Sequence, residues 1–135
     1  MRIQWLRVLL GGLLIEVVLA IVLLGGFAAA GVDLAAGIST ASAVIIGVGC
    51  FLAAFLIVLW LGRGFESRVV LHGFLMGLAA TVLYLALVAG SGQMSSALAG
   101  YGPATFVIVN AARLVGAALG GFACERRKAV RPAML

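Results

Sequence analysis

Apolar residues fill four long stretches of the chain, and polar residues gather in the short segments between them. The stretches cover 8–30, 38–61, 69–90 and 104–123. Each holds about 20 residues or more, which at the helical rise of about 1.5 Å per residue crosses a hydrocarbon core of about 30 Å. The apolar runs are continuous, whereas a membrane β-barrel needs alternating polar and apolar positions. The pattern therefore predicts four transmembrane α-helices.

The composition indicates that lipid is the solvent of these helices. The chain has 135 residues, of which 65% are hydrophobic and only 10% are charged. A soluble domain is about one quarter charged, and a chain of this length has no interior large enough to hide so much apolar surface. We therefore predict an all-α polytopic membrane protein. It is a four-transmembrane-helix bundle that forms one domain over 1–135 and ends in a short basic tail at 124–135.

Positive charges occur in alternate connecting segments. They precede the first stretch, lie between the second and third, and follow the fourth, at Arg2, Arg7, Arg63, Arg68, Arg126, Arg127, Lys128 and Arg131. The other two connections contain Asp33 and neither Lys nor Arg. The positive-inside rule then predicts a bacterial cytoplasmic (inner) membrane protein with both termini in the cytoplasm. We interpret the basic tail as a topology anchor beside anionic lipid headgroups. The lipid bilayer is therefore the expected partner, and we expect no binding of nucleic acid.

The first stretch also has features of a signal peptide, because it follows two arginines. It is too long for the apolar core of such a peptide, and it contains Glu16, so we expect it to remain as a span.

Two parts of the chain resemble each other. Residues 7–14 and 68–75 share five of eight positions. This similarity leaves open a doubled two-helix hairpin, whose copies would run parallel about an axis along the membrane normal. Small residues also recur at a spacing of four, at Gly73 and Gly77 and at Ala112, Gly116, Gly120 and Cys124. They allow close contact between helices, within one chain or in a homo-oligomer.

Two charged side chains interrupt the apolar stretches at similar depth. Glu16 lies roughly 13 Å along its helix from Arg7, and Arg113 lies roughly 18 Å from Glu125 at the same face of the membrane. A buried arginine keeps its proton and needs an acceptor, and Glu16 is the one acid at a compatible depth. We therefore predict that Glu16 pairs with Arg113 and that the first and fourth spans are neighbours. Asn110 precedes Arg113 by one helical turn and is the candidate third member of this intramembrane polar network.

The remaining polar residues favour no chemistry. His72 lies at the edge of the third stretch, and we expect an interfacial histidine that reaches water. It is the single histidine of the chain, which argues against a metal site. Cys50, Cys124 and Tyr84 are interpreted as packing residues. Phosphate-binding loops, nucleophile elbows and the HExxH and CxxC motifs do not occur, so we expect no enzyme, no cofactor and no catalytic or metal-binding residues.

Two resemblances to known families are present. The segment Leu10-Gly-Gly-Leu-Leu-Ile-Glu16 resembles the start of small multidrug resistance transporters. Those are four-helix proteins in which a membrane glutamate of the first helix serves protons and cationic drugs in turn, and the resemblance implies this role for Glu16. The segment from Arg68 to Leu78, with a Gly-rich last stretch ending in Glu125-Arg-Arg127, is similar to small uncharacterised four-helix bacterial membrane proteins. That second resemblance implies no activity.

The polar network leaves two functions open. A buried ion pair can be a tie that fixes the helix arrangement, which favours a structural or interaction role or a small subunit of a larger membrane complex. An intramembrane charge can instead mark a site for an ion, a proton or a substrate, which favours a small proton- or ion-coupled transporter that uses Glu16. A tie needs Glu16 capped by Arg113, whereas transport needs Glu16 to face a water-filled cavity.

Overall fold

A computed structural model describes residues 3–30, 39–92 and 94–130, with the side chains of these residues except 27–30, 97, 100 and 101. Its helices are α1 (Trp5–Ala30), α2 (Thr40–Leu61), α3 (Val69–Gly90), α4 (Met94–Tyr101) and α5 (Pro103–Val130). No strand occurs in the described ranges. The helices α1, α2, α3 and α5 are long and apolar enough to cross a membrane. The predicted all-α four-helix bundle is confirmed, and the chain is an integral membrane protein.

The ends of the helices follow from local chemistry. At the start of α2 the Ser39 hydroxyl accepts a hydrogen bond from the Ser42 amide, which satisfies a donor that the first turn leaves free. Between α4 and α5, Gly102 has a φ of 72°, which residues with a Cβ rarely adopt, and Pro103 then starts α5. The apolar pattern does not predict α4, because its eight residues are too few to cross a membrane.

The basic residues near the end of the chain continue the last helix. α5 extends through Lys128 to Val130, so the described part of the predicted tail 124–135 is helical. Three charged residues of the topology prediction, Arg2, Asp33 and Arg131, lie outside the described residues.

Around the bundle the spans follow the order α1, α2, α5, α3. α1 packs against α2 and α3, and α5 packs against the same two helices. α1 and α5 are therefore diagonally opposite, and the prediction that the first and fourth spans are neighbours is wrong. That prediction came from depth, and depth fixes the level of a residue in the membrane but not the position of its helix around the bundle.

The same order bears on the doubled hairpin. A twofold axis along the membrane normal would place α1 diagonally opposite α3, the helix that corresponds to it in the repeat. In the described bundle α1 and α3 lie side by side, with Gly12 of α1 against Ala79 and Ala80 of α3. The expected symmetry is therefore absent from these helices, and the sequence repeat itself stays a prediction.

Glycines let α5 approach both of its neighbours closely. A Cβ on Gly116 would collide with the backbone of Phe51 in α2. On the other side, a Cβ on Gly73 of α3 would lie 2.6 Å from the carbonyl oxygen of Ala117. Lipid supplies little hydrophobic force between helices, and close contacts between small residues are a general source of attraction in membrane bundles. α5 therefore packs closely against α2 and α3 near the level of Arg113.

Candidate functional site

The middle of the bundle receives one polar or reactive side chain from each span. They are Glu16 from α1, Cys50 from α2, Tyr84 from α3 and Arg113 from α5. The guanidinium of Arg113 contacts the other three side chains. The site is therefore built around one buried positive charge that α5 carries to the centre.

Arg113 and Glu16 form an ion pair across the diagonal of the bundle. Nη1 of Arg113 lies 2.9 Å from Oε1 of Glu16, and the two side chains are 4% and 12% exposed. The pair predicted from depth is present even though its helices are not adjacent, because both side chains are long enough to meet between them. Removing one partner would leave the other charge where little can solvate it.

Arg113 has two further neighbours. Its Nη2 lies 3.9 Å from Sγ of Cys50, and its guanidinium carbon lies 5.0 Å from the centre of the Tyr84 ring. A guanidinium over an aromatic face gains a cation–π attraction, which is larger away from water. The sequence gives both neighbours only a packing role. One signal for Cys50 exists: residues 41–46 resemble residues 104–109, and this second alignment sets Cys50 opposite Arg113.

Asn110, the candidate third member of the network, forms its hydrogen bond within its own helix. Its Nδ2 donates to the carbonyl oxygen of Phe106 at 2.8 Å. Its Oδ1 has no hydrogen-bond partner among the described residues, and the same holds for Oγ1 of Thr81. Oε1 of Glu16 and Nε of Arg113 also lack a well-aligned hydrogen bond there, although the ion pair is close. Buried polar atoms of this kind are rare in folded proteins and point to a further hydrogen-bonding group.

His72 lies far from this centre, at what we call the basic end of the bundle, defined by Arg7, Arg63, Arg68, Arg126, Arg127 and Lys128. The expectation that His72 reaches water is wrong, because the residue is only 4% exposed. Its ring stacks on Phe65 with 4.4 Å between ring centroids. The segment between α2 and α3 places Phe65 against the bundle, where it covers the His72 ring. The pattern of apolar residues along the chain does not predict how a connecting segment folds back.

The hydrogen bonds of His72 define its chemical form. Nδ1 lies 2.9 Å from the carbonyl oxygen of Arg68, and Nε2 lies 3.3 Å from the backbone nitrogen of Gln4. A carbonyl only accepts and an amide only donates, so Nδ1 carries the proton and Nε2 accepts. His72 therefore links Gln4, the residue before α1, to the start of α3, and it has no contact with Glu16 or Arg113 among its described hydrogen bonds.

Three of the grooves on the surface of the described residues have volumes of about 490, 450 and 550 Å³. Neither Glu16 nor Arg113 lines any of these three. Within the described ranges, no three His, Cys, Asp or Glu side chains come close enough to hold a metal ion together. The central pair can therefore hold opposite charges together, but none of these grooves leads a ligand to it.

No family model, curated protein or solved structure matches the chain.

Proposed function

We propose that this protein is a structural or interaction component of the membrane, a small subunit of a larger complex, whose spans are tied together by Glu16 and Arg113. The closed ion pair is the observation that supports this most: the two side chains are 12% and 4% exposed. A coupling carboxylate must meet water and exchange its partner in each transport cycle. Glu16 instead faces an arginine that keeps its charge at any physiological pH.

The outer surface supports the interaction part of this proposal. A groove of about 450 Å³ between α2 and α5 is apolar and includes Ala43, Gly47 and Ile108 in its lining. A Cβ on Gly47 would meet nothing within 4 Å, so this glycine makes no close contact inside the bundle. Small residues on a lipid-facing surface let another transmembrane helix approach closely. We therefore propose an apolar helix of a partner protein as the occupant of this groove.

Paired neutral substitutions test the structural tie. Arg113→Gln alone leaves the Glu16 carboxylate without its cation, whereas Glu16→Gln with Arg113→Gln leaves two amides that can bond each other. We expect the double variant to regain at least half of the unfolding free energy that Arg113→Gln loses in detergent. Equal losses in the two variants would contradict a tie between these side chains.

A photo-cross-linking residue at position 47 tests the interaction role. In native membranes we expect a defined protein adduct from position 47. Ile21, which is 67% exposed on α1, provides the matched control position and should give lipid adducts without a protein band. The absence of a protein adduct at 47, or the same adduct from both positions, would contradict a partner helix in the groove.

A proton- or ion-coupled transporter that uses Glu16 is the second candidate. The unpaired Oδ1 of Asn110 and Oγ1 of Thr81 favour it, because such atoms attract water or an ion. The resemblance of residues 10–16 to small multidrug resistance transporters supports the same role. In proteoliposomes with an internal pH dye, proton movement upon addition of a hydrophobic cation, lost in Glu16→Gln, would establish this candidate and displace the first.

The same proposal includes the orientation of the protein. We propose that both termini and the segment between α2 and α3 lie in the cytoplasm of a bacterial inner membrane, because all described Lys and Arg residues other than Arg113 lie at the basic end. An alkaline phosphatase fusion at the C-terminus should be inactive, and one inserted between α1 and α2 should be active. The reverse pattern would contradict this orientation.

A further inference from the structure

A groove at the basic end combines positive charge with apolar lining. It has a volume of about 490 Å³ and lies between the end of α2 and the last turns of α5. Its cations are Arg63, Arg126, Arg127 and Lys128, and its apolar lining includes Leu59 and Val130. Arg63 belongs to the 3-10 turn after α2, so two separate parts of the chain contribute positive charge to the same space.

The described chain does not neutralise this charge. Its one described ion pair joins Arg113 to Glu16, so no described carboxylate is paired with a cation of the groove. Lys128 donates to the carbonyl oxygen of Phe65 and keeps its charge. Arg126 lies 4.9 Å from the centre of the Phe122 ring, an attraction that also preserves its charge. The negative end of the α5 dipole offsets only roughly half of one charge, so the groove is suited to an anion.

An exposed tryptophan near the groove indicates the level of the lipid headgroups. Trp60, beside Leu59, is 61% exposed at the end of α2. Exposed tryptophans at the ends of transmembrane helices lie at the level of the headgroups. Leu59 precedes Arg63 on the membrane side of the groove and therefore flanks the region where a headgroup joins its acyl chains. A free phosphate ion would use only the cations, whereas an amphiphile uses both the charged and the apolar lining.

We propose that this groove binds one anionic phospholipid whose headgroup carries at least two negative charges on phosphate. Guanidinium groups match phosphate geometry through pairs of parallel hydrogen bonds, and the groove presents three of them. Basic pockets between transmembrane helices at the membrane surface suit headgroups of this charge. The site uses neither Glu16 nor Arg113, so it does not depend on the proposed function of the central pair.

Native mass spectrometry of the purified full-length chain in detergent tests the lipid class without any substitution. Phosphatidic acid, phosphatidylglycerol and phosphatidylcholine are added separately at equal concentration. We expect one phosphatidic acid per chain, retained about fivefold more often than phosphatidylglycerol, since each additional charge contact at a membrane surface contributes about that factor. Equal retention of the two anionic lipids, or a broad distribution of many bound lipids, would overturn a defined site for a dianionic headgroup.

Matched arginine substitutions test the position of the site. We expect Arg63→Gln and Arg127→Gln each to lower phosphatidic acid retention about fivefold. Arg68→Gln removes the same charge at the same end, outside the lining of the groove, and should lower it less than twofold. Equal losses in all three variants would show general surface attraction and overturn the proposal. Helicity measured by circular dichroism checks folding, and the lipid comparison on the unchanged chain remains decisive if a variant misfolds.

Competition with inorganic phosphate separates a lipid site from a phosphate site. Millimolar phosphate should leave most of the phosphatidic acid bound, because the apolar lining contributes to lipid binding only. Displacement by phosphate at the same concentration as by a soluble short-chain phosphatidic acid would mean that the acyl chains contribute nothing. That result would overturn the assignment to a lipid.

Discussion

The centre of the bundle and its basic end both hold polar side chains against neighbouring segments, but the partners of these side chains differ in kind. At the basic end, His72, Arg7 and Lys128 bond backbone atoms of a neighbouring segment. In the centre, Arg113 and Glu16 depend on each other, and some of their atoms lack an aligned hydrogen bond among the described residues. A backbone partner survives any substitution, whereas a side-chain partner is lost by one. The centre should therefore tolerate single changes poorly, and the basic end should tolerate most of them.

The strongest test of this contrast is Arg113→Leu. It leaves the Glu16 carboxylate among apolar side chains, which should lower the free energy of unfolding by about 4 kcal/mol. Denaturant titration in detergent measures this loss. Combining the change with Glu16→Leu should recover much of it, since the buried charge is then gone. Stability of Arg113→Leu equal to that of the unchanged chain would mean that the pair contributes nothing to the fold.

Phe65→Ala tests the largest fully buried apolar side chain at the basic end. The Phe65 side chain is 1% exposed and covers the His72 ring, so its removal leaves a cavity that should cost about 3 kcal/mol. Phe122→Ala provides the control, because Phe122 is 46% exposed to the lipid side and should cost much less. Similar losses at the two positions would show that the cover over His72 adds no stability.

His72→Asn separates the two hydrogen bonds of the histidine. Asparagine keeps a donor near the Arg68 carbonyl oxygen but removes the acceptor of the Gln4 amide. We expect a loss of about 1 kcal/mol, together with faster hydrogen exchange at the Gln4 amide. Unchanged exchange at Gln4 would contradict the link between α1 and α3 through this ring.

Arg7→Gln should have the smallest effect. Arg7 is exposed and donates to the carbonyl oxygen of Gly64, which water can replace as a partner. A loss of about 0.5 kcal/mol is expected in the same denaturant titration. Arg113→Gln is the matched change in the centre, so the ratio of the two losses measures the contrast between the regions directly. A ratio near one would contradict the difference in tolerance between the centre and the basic end.

Apolarity predicts the spans well because lipid contact imposes it along the whole length of a helix. The third stretch, 69–90, has the bounds of α3. α5 continues beyond its apolar stretch, because Arg126, Arg127 and Lys128 form helices readily and simply leave the lipid. Hydrophobicity therefore reports where the membrane ends and not where the helix ends.

The central pair was predictable for a different reason. Few acids occur in the chain, and depth singles out Glu16 as the partner of Arg113, as the 2.9 Å contact shows. The contacts of Cys50 and Tyr84 with Arg113 depend on how the helices are rotated and ordered around the bundle. Apolar residues surround each helix almost completely, so no polar face in the sequence indicates that rotation. The burial of His72 likewise depends on how a connecting segment folds back.

The diagonal position of the ion pair also constrains how the protein is made. Glu16 enters the bilayer with the first span, and Arg113 follows only with the last. Until translation delivers that last helix, the acid lacks the cation that it contacts in the completed bundle. The ion pair can therefore form only after the last span has been inserted. A chain arrested after its third span would hold this acid in the bilayer without its cation.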